Sequence, residues 1–292
     1  MDRFVFLTFD GLSNGAVYAA FALALVLIWR AARVVNFAQG AMAVAAAYAA
    51  YSVTQATGSY WIGFAAALGT GLMIGALVER AVMRFVGHAN PLNEVIVALG
   101  LVLFIQAVLG MLYGNEFLPS HTPFSRNAIE VGGVPLLSRY DLFVFGAVAA
   151  LVLLLALLFT KTSTGLRMRA AAFAPEVSRL LGVNVGGMLT LGWALASAVG
   201  ALAAMLVIPT ELGLNPHAMD LVFVTSFTAA VIGGLDSPPG AVTGGMAVGL
   251  ILSYVSGYLG SSVTPIAVLA LLLIVLLVRP GGLFSATVAR QA

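Results

Sequence analysis

The side chains able to do chemistry are few in this sequence, and none falls into a catalytic or ligating pattern. The single lysine, Lys161, has no glycine directly before it, so no Gly-x-x-x-x-Gly-Lys-Ser/Thr phosphate loop is present. The chain is therefore not expected to hydrolyse ATP by that route. Three histidines, His88, His121 and His217, fall in three different predicted loops, which argues against a shared metal site or proton relay. No pair of aspartates falls within facing spans, so intramembrane proteolysis has no candidate dyad. The absence of cysteine removes disulfides, zinc-thiolate sites and thiol catalysis together. Glu79, Glu94, Glu211, Asp220 and Asp236 are all expected near span ends, within reach of the interface. Ion-coupled carriers and proton pumps often keep a carboxylate at mid-membrane, where burying it costs several kcal/mol. Nothing of that kind is expected here.

The elements that must position these few groups are set by composition. Of 292 residues, 61% are hydrophobic and 8% charged, with a net charge of +2. Soluble chains carry roughly 25% charged residues, so this one cannot cover a water-facing surface. A soluble enzyme, a disordered chain and a nucleic-acid binder are all excluded. A hydrocarbon core of about 30 Å needs roughly 20 helical residues to cross it. Candidate spans lie near 11–29, 38–56, 60–78, 93–113, 141–159, 188–208, 219–235, 240–258 and 263–278. The expected fold is therefore all-α and polytopic, with about 8–9 transmembrane helices in a single domain over 1–292. The seventh span is the weakest, because it holds Asp220, Thr225, Ser226 and Thr228 and ends in Gly233-Gly234. A half-crossing or re-entrant segment is the alternative there.

Orientation follows from the basic residues, which accumulate in cytoplasmic loops. With the amino terminus outside and nine crossings, ten of the thirteen Lys and Arg fall inside, and Arg3, Arg126 and Arg139 outside. Two loops are long. The outer one, about 114–140, contains Ile129-Glu130-Val131, a piece suited to an extended turn. The inner one, 160–187, contains a short helix marked at both ends. Pro175 suits its first turn, Glu176 complements the positive end of the dipole, and Gly182 can take the left-handed conformation that stops it. Between them Val177, Leu180 and Leu181 share one side, with Ser178 offering close approach and Arg179 adding positive charge. A helix of about two turns is marginal alone, so something must pack against it. Its own membrane helices and a cytoplasmic partner are both candidates.

Taken together, several segments resemble one family. They are Asn36-Phe37-Ala38-Gln39-Gly40, Thr164-Gly165-Leu166-Arg167 through Pro175-Glu176 and Leu181-Gly182-Val183-Asn184, Ile232-Gly233-Gly234-Leu235 with Pro238-Pro239-Gly240-Ala241-Val242, and Arg279-Pro280 with Gly282-Leu283-Phe284. Their order and spacing resemble the permeases of branched-chain amino acid ABC importers, in particular the H-type (LivH-like) subunit, over about residues 10–285. The resemblance implies a permease of the bacterial inner membrane that forms the translocation pathway with a second, M-type permease. It implies two cytoplasmic ATPase subunits that use ATP, a periplasmic substrate-binding protein, no cofactor bound by this chain and no nucleic acid. By position, Pro175–Leu181 with Gly182 corresponds to the coupling helix that sits in a groove of the ATPase. Val177 and Ser178 stand where family members more often have small alanines. Asn36 and Gln39 are read either as capping the second span or as facing the pathway. Gly233 and Gly234 are read as a turn and secondarily as a hinge. The alternatives are a stand-alone ion-coupled carrier or channel, or the same family with another cargo such as urea, amides or aromatic amino acids.

Overall fold

The computed structural model describes residues 2–86, 91–131, 134–210, 213–279 and 281–284. His88, Glu211, Pro280 and Arg290 lie outside the described residues. The chain order is α1 (Asp2–Ala32), α2 (Gln39–Thr57), α3 (Tyr60–Ala81), α4 (Pro91–Tyr113), β1 (Ala128–Val131), β2 (Val134–Ser138), α5 (Arg139–Lys161), α6 (Ser163–Phe173), α7 (Pro175–Leu180), α8 (Val185–Val207), α9 (Asp220–Gly233), α10 (Pro238–Leu259) and α11 (Thr264–Val278). Among the described residues the chain is all-α apart from the antiparallel β1–β2 pair, which contains the extended piece expected at Ile129 to Val131, and a single bridge between Leu118 and Leu214.

Each of the nine expected spans coincides with a helix, but the nine are not equivalent. Seven are long and apolar enough to cross a membrane. Helix α2 is long enough, yet it carries Gln39, Tyr48, Ser52, Thr54 and Gln55 and buries its first half among its neighbours. Helix α9 has 14 residues, about 21 Å at 1.5 Å per residue, and falls short of a 30 Å core. The seventh span is thus a half-length helix preceded by non-helical chain. Its far end is nonetheless fixed: Asp236, in the α9–α10 turn, pairs with Arg33 just beyond α1. The α9–α10 turn therefore lies at the basic end of the bundle, where α1 finishes.

Residue size decides which helix is central. In α1 and α8, rich in Ala and Gly, 83% and 78% of the spanning window is buried, whereas the figure is 17% for α4 and α5 and 6% for the Leu- and Ile-rich α11. Lipid solvates large side chains as well as protein does, so close packing is left to small residues that let backbones approach. Gly11 and Gly15 of α1 meet Gly249 and Gly245 of α10 this way. Gly71 and Gly75 of α3 lie on Ala198, Ser197 and Trp193 of α8, and Gly240 and Gly244 of α10 lie on Gly233 and Ala229 of α9. Contrary to the expectation that no catalytic pattern is present, Gly11-Leu12-Ser13-Asn14-Gly15 does have the Gly-x-Ser-x-Gly spacing of a hydrolase elbow; it sits inside α1, with both glycines spent on packing and Ser13 donating to Asp141.

Candidate coupling and translocation site

Helix α7 is built as its sequence predicts. Pro175 opens it, Glu176 lies in the first turn and Arg179 in the last. Gly182 adopts φ 81°. The Val183 amide donates to Ser178 O at 2.9 Å and the Gly182 amide to Arg179 O at 3.0 Å, the paired bonds of a Schellman stop. Ser178 is buried and faces the bundle, so it anchors the helix and leaves the outer side to others. On that side Val177, Leu180 and Leu181 are exposed, Leu180 at 88%. Phe173, at the end of α6, is also exposed, at 91%, but lies beside the cavity between α1, α5 and α6. Among the described residues nothing covers this face.

No atom lies within 4 Å of a Cβ built on Gly182, so Gly182→Ala is expected to act through backbone conformation alone. A left-handed L-residue costs about 1–2 kcal/mol. Thermal unfolding of the variant should be unchanged within a degree or two, whereas amide exchange at residues 176–182 should accelerate roughly fivefold or more, following the lost free energy. Unchanged exchange would mean that Gly182 does not stop this helix.

Helix α6 was not foreseen. Its N-cap is Thr162, whose hydroxyl accepts from the Gly165 amide at 3.0 Å and donates to Leu158 O at 2.6 Å. A Cβ on Gly165 would lie 2.1 Å from Leu158 O, so the glycine is what permits the sharp corner between α5 and α6.

Asn36 and Gln39 come together, and neither side chain caps α2. The N-cap is Ala38, without a side-chain bond. Asn36 Oδ1 accepts from the Ala38 amide at 3.0 Å, closing a tight turn ahead of the helix. Asn36 Nδ2 donates to Gln39 Oε1 at 3.0 Å, and Gln39 Nε2 donates to Ala196 O of α8 at 2.9 Å. Ala196 lies about 16 Å along α8 from its start, so α2 begins well inside the bundle. Both side chains are fully buried, and the ring of Phe37 between them packs against Phe223 and Phe227 of α9. Gln39→Leu removes both of its bonds and leaves the Asn36 amide only its 3.4 Å contact with Met42 Sδ, a weak acceptor, at a cost of about 1–3 kcal/mol. A thermal midpoint several degrees below the parent is expected in detergent; an equal midpoint would show the pair to be dispensable for packing.

Gly233 and Gly234 form the corner between α9 and α10. A Cβ on Gly233 would meet Gly240 O at 2.0 Å, and Gly234 has φ 95°. The Leu283 amide donates to Ile232 O at 2.8 Å and the Phe284 amide to Gly233 O at 3.3 Å, so the segment after α11 clamps this corner.

One carboxylate departs from expectation. Glu79 is buried and accepts from Arg84 Nε and Nη2 and from Thr190 of α8. Arg84 also reaches Gly186 O, tying the end of α3 to the start of α8. The sequence placed Glu79 near a span end but held no sign of a partner more than a hundred residues away. Asp220 accepts from Gln106 of α4 at 3.0 Å and contacts His217 at 2.9 Å. Among the described residues no group of three or more His, Asp or Glu could hold a metal ion. The arrangement comprises an uncovered apolar side of α7, a buried polar pair and a fixed corner.

A sequence model described as "Branched-chain amino acid transport system / permease component" matches residues 7–278. The high-affinity branched-chain amino acid transport system permease protein LivH of Salmonella typhimurium is 28% identical over 291 residues, covering 95% of this chain and 94% of that protein. Its counterpart BraD of Pseudomonas aeruginosa is 26% identical over 291 residues, covering 94% of each. The probable permease LivH of Methanocaldococcus jannaschii is 26% identical over 253 residues, 82% of this chain and 78% of that one. A match spanning nearly every helix described above places this multi-pass membrane protein among transport components, not enzymes: the chain belongs to the branched-chain amino acid transport system permease family.

Proposed function

We propose that this chain forms half of the translocation pathway of an ATP-driven, binding-protein-dependent importer of branched-chain, hydrophobic amino acids in the bacterial inner membrane. The basic end of the bundle faces the cytoplasm and the hairpin end the periplasm. A second, M-type permease supplies the other half of the pathway, a periplasmic binding protein delivers the amino acid, and two cytoplasmic ATPase subunits consume ATP. The chain is one permease domain, 1–292, with 160–187 as its coupling loop.

The observation that carries this reading is the uncovered apolar face of α7, in a chain of this family and at the end where basic residues cluster. ATP-driven closure has to be transmitted by a rigid element held at both ends. Helix α7 has that form, and beyond Gly182 the chain enters α8, capped by Asn184 on the Gly187 amide at 2.9 Å. The carbonyl of Ala196, further along α8, holds Gln39. A push on α7 therefore bears on the buried Asn36–Gln39 pair through one helix. Asn36 and Gln39, with Phe37 against Phe223 and Phe227, are the proposed gate of the pathway. Gly233 and Gly234 are the proposed hinge, and the bonds from Leu283 and Phe284 are contacts that its movement would break or carry along.

Reconstitution tests the reading. Proteoliposomes holding both permeases and the ATPases, supplied with binding protein and ATP, should accumulate leucine, and those with this chain alone should not. Leucine uptake by the purified single chain under an ion gradient would overturn the proposal in favour of a secondary carrier.

A further inference from the structure

At the basic end of the bundle, a cavity of about 250 Å³ opens between the last turn of α1, the end of α5 and the inner side of α6. Its walls are apolar, formed by Leu27, Ala31, Phe159, Met168, Ala172 and Phe173. Three guanidinium groups, Arg30, Arg33 and Arg169, line the same space. Only Arg33 is paired among the described residues, with Asp236, whose carboxylate also accepts from Trp29 Nε1 at 3.2 Å. Arg30 and Arg169 form no ion pair among the described residues, and the field of Asp236 that reaches Arg30 is opposed by those of Arg169 and Arg33.

Three cations against one carboxylate around one opening, with Arg30 half-buried and Arg33 and Arg169 exposed, repel one another, and an anion in the cavity removes that cost. Guanidinium is the group best matched to phosphate, because its planar fork gives two parallel hydrogen bonds and it sheds water more readily than ammonium. The walls select among phosphates. A free phosphate gains nothing from Leu27, Phe159 and Phe173, whereas a phosphate carrying a glycerol and acyl chains uses the cations and the apolar surface together. With the orientation proposed above, the basic ends of α1 and α5 face the headgroups of the cytoplasmic leaflet, which is the anionic one.

We infer that this cavity holds the phosphodiester headgroup of an anionic phospholipid from the cytoplasmic leaflet, with Arg30 and Arg169 on the phosphate and an acyl chain along Leu27 and Phe159. The bound lipid bridges α1 and α6, and α6 leads directly into α7, so it steadies the base of the coupling loop. The inference rests on the orientation given above, with the basic end in the cytoplasm. Its test does not depend on transport or on any partner.

Native mass spectrometry of the full chain in detergent, titrated separately with phosphatidylglycerol and phosphatidylcholine, reads the site. Phosphatidylglycerol should be retained at concentrations at least tenfold lower than phosphatidylcholine. The R30Q/R169Q variant should lose that preference. The single R169Q variant, altered only at an exposed position, should weaken it severalfold and covers the case in which the double variant does not fold. R139Q, altered at the opposite end, should keep the full preference. Millimolar inorganic phosphate should not displace the lipid. Equal retention of the two lipids by the parent, a preference that survives R169Q and R30Q/R169Q, or displacement by inorganic phosphate would each overturn the inference, the last by assigning the cavity to a free anion.

Discussion

Leu180→Asp is expected to cut ATP-driven leucine uptake by roughly thirtyfold or more while leaving the permease inserted at parental levels. The side chain is 88% exposed and touches nothing that holds the bundle together, so a carboxylate there has little effect on folding. Against a partner the position is different. Leu180 is the most exposed of the three apolar side chains of α7, with Val177 and Leu181, and a large apolar side chain buried at such a contact costs about 2 kcal/mol or more on binding when lost. An aspartate adds to the lost contact the cost of burying an unpaired charge. About 2 kcal/mol corresponds to roughly a thirtyfold change in the binding constant. The measurement is uptake and ATP hydrolysis by the assembled transporter in proteoliposomes, normalised to inserted permease. Leu181→Asp, one position on and equally free of the bundle, should behave alike. Uptake within twofold of the parent for both would remove α7 from the docking surface. Ser178→Asp should instead lower the thermal midpoint of the permease, because Ser178 faces inward. That contrast separates the outer side of the helix from its anchor.

The helices and the two ends of α7 were legible because each rests on local chemistry. Apolar runs of spanning length, a proline at a first turn and a glycine in the left-handed region leave their mark within a few residues of sequence. Features that depend on distant partners left none. Glu79 reads as a carboxylate near a span end until Thr190 and Arg84 close around it, and only the fold brings α3 and the start of α8 together. Asn36 reads as a helix cap or as a pathway residue, and the structure removes the cap: the chain beyond α1 climbs back into the bundle before α2 begins, so its side chain serves a turn and its amide serves Gln39. Helix α6 lies between these cases. Its cap, Thr162 on the Gly165 amide, is local, but Arg167, Arg169 and three alanines blur the apolar period that would have announced a helix. The short seventh span was legible in its warning signs, Asp220 at one end and Gly233-Gly234 at the other, though not in the way Asp236 and Arg33 fix its far end.

Gly249→Val is expected to abolish the folded permease, and the reason lies in what faces that position. A Cβ there would stand 2.3 Å from Gly15 Cα, 2.4 Å from Gly15 N and 2.5 Å from Gly11 O. All three atoms are backbone, so no side-chain rotation relieves the clash and the two helices must separate. Separation is costly because α1 is the central helix, and Gly245, one turn before on the same face, would lose its seat on Ala19 as well. Overpacking a core typically costs about 1–3 kcal/mol when side chains can shift, and here they cannot. Lipid gives no hydrophobic compensation for holding helices together, so association depends on the backbone approach that the glycines allow. Gly249→Ala should show a graded version of the same defect. Gly146→Val is the control: it adds the same atoms on the exposed side of α5, where nothing lies within 4 Å of a Cβ. The check is the yield of monodisperse protein after detergent extraction, together with its thermal midpoint. The expected order is Gly146→Val near the parent, Gly249→Ala clearly lower and Gly249→Val absent. Recovery of Gly249→Val at parental yield and midpoint would mean that α1 and α10 do not meet through their glycines.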